Sequence, residues 1–270
     1  MAASGGSLVI VGTGINTLAH CSIEARAHIE QAEKLVVHVP DPLGMSWLRE
    51  LHPDLIDLQA TYRQGANRAD AYELMVRAIV EQVEAGFHTV AVFYGHPGVF
   101  VSPSHEAIRR LRKTGLPARM LPGISAEDCL FADIGIDPAR HGSAHYEATR
   151  FLFYTLPINT AASLIIWQIG VVGDHTLTTT TPATGGLRAL QHKLLRDYPA
   201  DHRVAIYEAP TLAITEPRID WLPLAEFADA RVTQISTLFV PSVAKPQPDW
   251  QTLSAMGLTA EQAFGDVGTL

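Results

Sequence analysis

Three short runs of this chain are apolar on both faces: Leu8-Val9-Ile10-Val11, the stretch from Lys34 to Val39, and Thr89-Val90-Ala91-Val92-Phe93. A strand wetted on one side alternates apolar and polar residues, whereas continuous Val, Ile and Leu runs belong to strands covered on both faces, as in parallel sheets. Helix-period segments lie between these runs. Tyr72, Met75, Val76, Ile79, Val80 and Val83 recur near a 3.6-residue period, with Asn67 placed to cap that helix and Gly86 to end it. Further helices are predicted from about Ser22 to Ala32, over Trp47 to Leu51 and over Ser104 to Thr114, and a further strand over Ala118 to Leu121. This alternation predicts an α/β half with a mostly parallel sheet.

Around Asp137-Pro138-Ala139-Arg140-His141-Gly142 the periodicity lapses, which places a domain boundary there. The expected division is an N-terminal α/β domain over 1–140, a C-terminal α/β domain over 141–245 and a tail over 246–270. The second unit is read as beginning with the strand Ser163 to Gln168 and continuing through a helix near Leu187 to Asp197. Strands follow at Arg203 to Tyr207, Arg218 to Leu222 and Thr237 to Val240. Asp249 to Leu270 reads as a weakly amphipathic tail.

The Thr89 strand breaks into Tyr94-Gly95-His96-Pro97-Gly98-Val99-Phe100. Glycine and proline force a sharp loop at the carboxyl end of a strand, where open α/β sheets hold ligands. The loop has no Ser, Cys or Lys, so it reads as a cradle and not as a source of a nucleophile. Gly12-Thr13-Gly14-Ile15-Asn16-Thr17 matches the first two glycines of a dinucleotide fingerprint but has Thr17 at the third; a purely structural βα turn is the other reading.

Arg68 and Tyr72 are four apart on one helix and share a face, with Tyr62 in the loop before it. A phenol ionises near pH ~10, and a neighbouring guanidinium favours its anion, so such a pair can act as a base. The alternative is that Tyr72 belongs to the apolar register and Arg68 merely solvates its hydroxyl. His96 and His105 lack metal-ligand spacing and read as satisfied residues. Glu127 and Asp128 are adjacent on a helix and do not face each other, and Ser125 lacks the frame of a nucleophile elbow.

The formal net charge of -8 argues against a general nucleic-acid binder. The densest basic stretch, Arg109-Arg110-Leu111-Arg112-Lys113, reads as a solvated helix face. The two cysteines, Cys21 and Cys129, have no metal or redox spacing, so no metal site is expected. With neither a signal-like start nor a run long enough to span a bilayer, a soluble, cytoplasmic protein without membrane partners is expected.

Taken together, Gly12-Thr13-Gly14, the Tyr94 to Phe100 loop, Pro122-Gly123-Ile124-Ser125-Ala126, Gln168, Tyr207-Glu208-Ala209-Pro210 and Ser236-Thr237 resemble the tetrapyrrole methylase superfamily, over residues 7 to 241. Within it, Tyr-Gly-His-Pro-Gly-Val-Phe, Pro-Gly-Ile-Ser-Ala-Glu-Asp-Cys-Leu-Phe-Ala-Asp and the trio Tyr62, Arg68 and Tyr72 resemble the borosin peptide backbone α-N-methyltransferases. The resemblance implies a two-domain class III methyltransferase fold with a cofactor cleft between the domains. It also implies S-adenosylmethionine as methyl donor and S-adenosylhomocysteine as product.

By the same resemblance Tyr62, Arg68 and Tyr72 take the catalytic positions. Gly12, Gly14, Tyr94, His96, Val99, Phe100, Ser125, Ala126, Gln168, Tyr207, Ala209, Ser236 and Thr237 take positions lining the cofactor pocket. Some relatives carry a further active-site tyrosine where this chain has Gln59, whose amide can hydrogen-bond but cannot act as a phenolic acid or base. Fused relatives continue into a Val- and Ile-rich peptide that they methylate themselves; the tail here has no such core, so a separate precursor peptide is the expected substrate, as in split borosin systems. A homodimer, and with the precursor a heterotetramer, is what the resemblance implies. A porphyrinoid C-methyltransferase and a catalytically silent S-adenosylmethionine-binding scaffold are the alternative readings.

Overall fold

The computed structural model describes residues 5–61, 68–174 and 185–264. The chain forms two compact units, each drawn from separate stretches of sequence. The first holds the residues up to Gly135 with 173–174 and 207–219, and the second holds the rest.

The first unit runs β1 (Ser7–Gly12), α1 (Ile23–Gln31), β2 (Lys34–His38), α2 (Pro42–Leu51), β3 (Ile56–Asp57), α3 (Arg68–Glu84), β4 (His88–Phe93), α4 (Ser102–Lys113), β5 (Ala118–Met120) and α5 (Ala126–Ile134). Its sheet has the order β3-β2-β4-β1-β5, and these neighbours pair in parallel. Alternate strand residues feed opposite layers. Val9, Val11, Leu35, Val37, Val90 and Val92 join Ala25, Ile29 and Leu48 of α1 and α2. Leu8, Ile10, Val36, Ala91 and Phe93 join Met75, Ile79, Ala107 and Leu111 of α3 and α4. The runs are continuously apolar because each face meets helices, as expected for a parallel sheet.

Ser22 caps α1 by accepting from the Ala25 amide. Helix α2 starts well before the expected Trp47: Asp41 accepts from the Leu43 and Gly44 amides, and Pro42 fits the first turn, where a missing N–H costs nothing. Asn67 lies outside the described residues. In α4 the basic stretch is solvated as expected, with Arg109 and Arg110 both on Glu106, and Arg110 also reaching Glu73 of α3. Leu111 alone of that stretch is buried.

The second unit contains α6 (Pro138–His141), β6 (Ser143–Glu147), α7 (Ala148–Phe153), β7 (Ser163–Trp167), α8 (Gly186–Leu194), most of β8 (Arg203–Glu208) and β9 (Arg218–Pro223), then β10 (Thr237–Val240), α9 (Trp250–Ala255) and α10 (Ala260–Phe264). The strand order is β6-β7-β10-β8-β9, with β6 parallel and β10 antiparallel to β7. Its core gathers Phe151, Leu164, Ile166, Leu190, Phe227 and Leu238.

Strand β6 and helix α7 were not expected, because β6 is an edge strand whose residues are all half-buried and so show no apolar run. Glu147 then opens α7 by accepting from the Thr149 and Arg150 amides. The tail is helical in part, and Trp250 of α9 meets Phe264 of α10 edge to face at 6.1 Å. Among the described residues no helix is long and apolar enough to cross a membrane.

Candidate functional site

At the carboxyl end of the first sheet, β1 and β4 continue past their last paired residues. Thr13 N donates to Phe93 O at 2.9 Å, and Gly14 and Gly95 exchange hydrogen bonds of 3.2 and 3.1 Å. Both glycines have positive φ, 69° and 71°, which an L side chain rarely adopts. Gly12 is pressed so closely on the loop that a Cβ there would lie 2.2 Å from Gly95 O and 2.7 Å from Pro97 Cδ. The two glycine motifs expected to hold a ligand are therefore one structure. The close helix packing that a third fingerprint glycine allows is supplied from the other side, since Thr17 lies against Gly44 of α2.

Gly98 fixes the far side of the loop. Its amide donates to His96 Nδ1 at 3.0 Å, and its carbonyl pairs with His105 Nε2 at 2.8 Å. An accepting Nδ1 requires the neutral imidazole, in line with burial, which pushes His96 below its ordinary range. Both histidines are thus engaged within the loop, as the spacing suggested. Val99 and Phe100 remain 38% and 45% exposed, leaving apolar surface beside the glycine main chain.

Ser125 N-caps α5. Its Oγ accepts from the Glu127 and Asp128 amides, while Asp128 accepts from Ser125 N, a complete capping box. Ser125 is thereby oriented and Ala126 begins the helix. Gly123, just before them, lies 3.2 Å from Pro97 by its would-be Cβ, so this segment and the loop are in contact. Ser125→Ala is expected to destabilise the protein by about 1 kcal/mol, read in urea or thermal unfolding.

Tyr207, 1% exposed, donates its hydroxyl to Asp133 of α5 at 2.7 Å. Burial first, then that carboxylate, push the Tyr207 phenol far up. Burial likewise raises Tyr94 to about 12, with Cys129 and Asp41 adding to it. Cys129 is pushed up to about 11 by burial and by Asp133 and Asp128. At neutral pH all three keep their protons: they can donate hydrogen bonds, but they supply neither a base nor a thiolate nucleophile. Asp41, Asp128, Asp133 and Cys129 were not among the candidate site residues of the sequence reading. Only Asp128 had a local signal, the Ser-x-x-Asp capping pattern.

In the second unit Gln168 follows β7 and Ser236 precedes Thr237, the first residue of β10, and the antiparallel register brings them together. Ile169 N donates to Ser236 O at 3.2 Å, and Ser236 and Thr237 are 0% and 3% exposed. Among the described residues the non-glycine positions with positive φ are Phe100 at 56° and Gln168 at 60°. Both are candidate ligand-binding residues, and such strain persists where the surroundings impose it, as at ligand clamps. Ala209 follows β8, half-buried.

The proposed catalytic trio is only partly described. Tyr62 lies outside the described residues, and Arg68 is placed only as the first residue of α3. Tyr72 is half-buried against the apolar cluster that contains Phe93, the residue immediately before the loop. Gln59 donates from Nε2 to Val39 O at 2.7 Å, so its amide nitrogen is committed to the main chain.

The first unit is an α/β unit with a glycine cradle at the carboxyl edge of its parallel sheet. The model of the tetrapyrrole (corrin/porphyrin) methylases matches residues 7–218, and the chain belongs to that family. It is 38% identical over 265 residues, 97% of its length, to the methyltransferase/ribosomally synthesized cyclic peptide gymnopeptides precursor of Gymnopus fusipes. It is 39% identical over 246 residues, 88% of its length, to the methyltransferase/type I borosin cyclic peptide precursor of Coprinopsis marcescibilis. The chain spans 63% of the length of each of these relatives. Its fold is similar to that of uroporphyrin-III C-methyl transferase from Thermus thermophilus complexed with S-adenyl homocysteine, with TM-score 0.60, 16% identity, and 92% of this chain and 100% of that one covered.

Proposed function

We propose that this protein is an S-adenosylmethionine-dependent methyltransferase that places methyl groups on backbone amide nitrogens of a separate ribosomal precursor peptide. The observation that carries this reading is the glycine cradle without a nucleophile, in a chain 38% identical over 265 residues to a cyclic-peptide precursor methyltransferase.

The residues present fit a sulfonium ligand. The loop from Tyr94 to Phe100 carries no Lys or Arg, and Asp41, Asp128 and Asp133 lie near enough to Tyr94 and Cys129 to raise them. The same carboxylates favour a cation. Gly12, Gly14, Tyr94, His96, Val99, Phe100, Ser125, Ala126, Gln168, Tyr207, Ala209, Ser236 and Thr237 are the residues proposed to hold it. When bound, S-adenosylmethionine supplies an electrophilic methyl group and leaves as S-adenosylhomocysteine.

An amide nitrogen is a poor nucleophile because its lone pair is delocalised into the carbonyl. In this reading Tyr72, assisted by Arg68, takes the amide proton, and Tyr62 donates to the carbonyl oxygen as negative charge gathers there. A preorganised donor of that kind is worth about 3 to 4 kcal/mol in a dry site. Tyr94 and Tyr207, held protonated, orient and exclude water. A homodimer, and a heterotetramer with the precursor, completes the reading, and light scattering of the purified components checks it.

The test is release of S-adenosylhomocysteine, measured for the protein alone, with the intact precursor peptide and with a corrinoid precursor. Turnover with the peptide alone among these is expected. Turnover only with the corrinoid, or binding without turnover, would replace the proposal by a C-methyltransferase or a silent scaffold.

A further inference from the structure

The opposite, amino end of the first sheet carries a cavity of 510 Å³ where β1, β4 and β5 begin, lined among others by Leu8, Leu116, Pro117 and Ala118. Its floor is apolar, and the main chain there is satisfied: Ser7 N donates to Phe87 O and Leu8 N to Pro117 O. The rim is cationic and imidazole-rich, with Arg112, Arg119, His28 and His88 all lining it. In a chain of formal net charge -8 this is a local reversal of sign.

Each of these rim side chains is aimed by a hydrogen-bond partner that is not a carboxylate. Arg112 donates from Nε to Ala118 O at 3.0 Å, which orients the guanidinium over β5, and among the described residues no carboxylate pairs with it. Arg119 donates to His28 Nε2 at 2.9 Å. An accepting Nε2 is a neutral imidazole, and burial and Arg119 both hold His28 below its ordinary range. The only carboxylate near Arg119 among the described residues is Glu24, at 4.0 Å and with both side chains more than half exposed, too loose and too wet to neutralise it. His88 is oriented by Ser7 Oγ at 2.7 Å, and its ring centroid is 6.4 Å from that of His28. Two guanidiniums and two imidazoles therefore converge on one opening above an apolar floor.

We propose that this cavity binds a small organic oxyanion, a carboxylate or phosphate monoester carrying a short apolar body, with Arg112 and Arg119 holding the oxyanion and Leu8, Leu116 and Pro117 the body. The forked guanidinium matches either oxyanion by two parallel N–H donors. The volume exceeds what inorganic phosphate needs and falls within the range of small-ligand sites. The site is built on the strand starts, and nothing in it depends on the reading of the carboxyl-edge cradle.

The probes are hexanoate, hexyl phosphate and hexan-1-ol, titrated calorimetrically into the full chain, with histidine side-chain resonances followed by NMR. Saturable binding of one or both anions is expected, with shifts at His28 and His88 and the alcohol at least roughly tenfold weaker; the two anion arms tell carboxylate from phosphate. In R112Q/R119Q the anion affinity is expected to fall by roughly tenfold or more, while S-adenosylhomocysteine binding and the thermal unfolding midpoint stay as in the parent. Single substitutions R112Q and R119Q keep the test open if the double variant folds poorly. Equal binding of hexan-1-ol, no saturable anion binding, or anion binding unaltered in the folded variants would overturn the assignment.

Discussion

Tyr72→Phe is expected to lower methyl transfer to the precursor peptide by about 10² to 10⁴ while S-adenosylhomocysteine binds as in the parent, because positioned proton transfer contributes on that scale. The phenols and thiol beside the cradle cannot replace it. Tyr94 is raised to about 12 and Cys129 to about 11, and Tyr207 is tied to Asp133, so none of them takes a proton at neutral pH. The substitution keeps the ring that packs on the α3 cluster, so the unfolding free energy should move by less than about 1 kcal/mol, within the usual range for changes away from a packing or pairing defect. Single-turnover rates paired with calorimetric cofactor titration separate the two effects. A parental rate in Tyr72→Phe would remove the proposed base, and loss of cofactor binding together with rate would move Tyr72 into the binding role.

The second large effect is expected at Gly12. An alanine Cβ would fall 2.2 Å from Gly95 O and 2.7 Å from Pro97 Cδ, and neither the carbonyl nor the proline ring can swing aside, since Gly95 is bonded to Gly14 in both directions. The strand pair must open or the loop must shift, which costs about 1 to 3 kcal/mol and spoils the cradle. Gly86→Ala is the control: φ is +97° and no atom lies within 4 Å of the added Cβ. It should cost only the backbone strain, about 1 to 2 kcal/mol. Both variants should lower the unfolding midpoint, but only Gly12→Ala should weaken S-adenosylhomocysteine binding. Equal loss of affinity in both would mean that stability, and not the Gly12 to Gly95 contact, governs the site.

What was legible in the sequence follows from how local each signal is. Strands β1, β2 and β4 were readable because burial on both faces leaves an unbroken apolar run, and α3 because its inner face repeats at the helical period. Strand β6 was not, since an edge strand with half-buried residues leaves no such run. The start of α2 was hidden because a proline ordinarily interrupts an element, and Pro42 opens one only by its place after the Asp41 cap. At the site, the glycine motifs announced the cradle, but that Gly12 and Gly95 touch is a fact of strand pairing over 83 residues of separation. Asp133 closes the motif that begins at Pro122, but its role could not be read from sequence, because it comes from meeting Tyr207, 74 positions away. Asp128 was within reach, three residues after the serine it caps.

The central claim is that the acceptor is a backbone nitrogen. Tandem mass spectrometry of the precursor peptide, after incubation with this protein and S-adenosylmethionine, should show increments of about 14 Da, H replaced by CH₃, that backbone fragments place on residues with hydrocarbon side chains and that their immonium ions, which contain the backbone nitrogen, retain. Increments that follow side chains instead, or a peptide left unmodified while the cofactor is bound, would contradict the account.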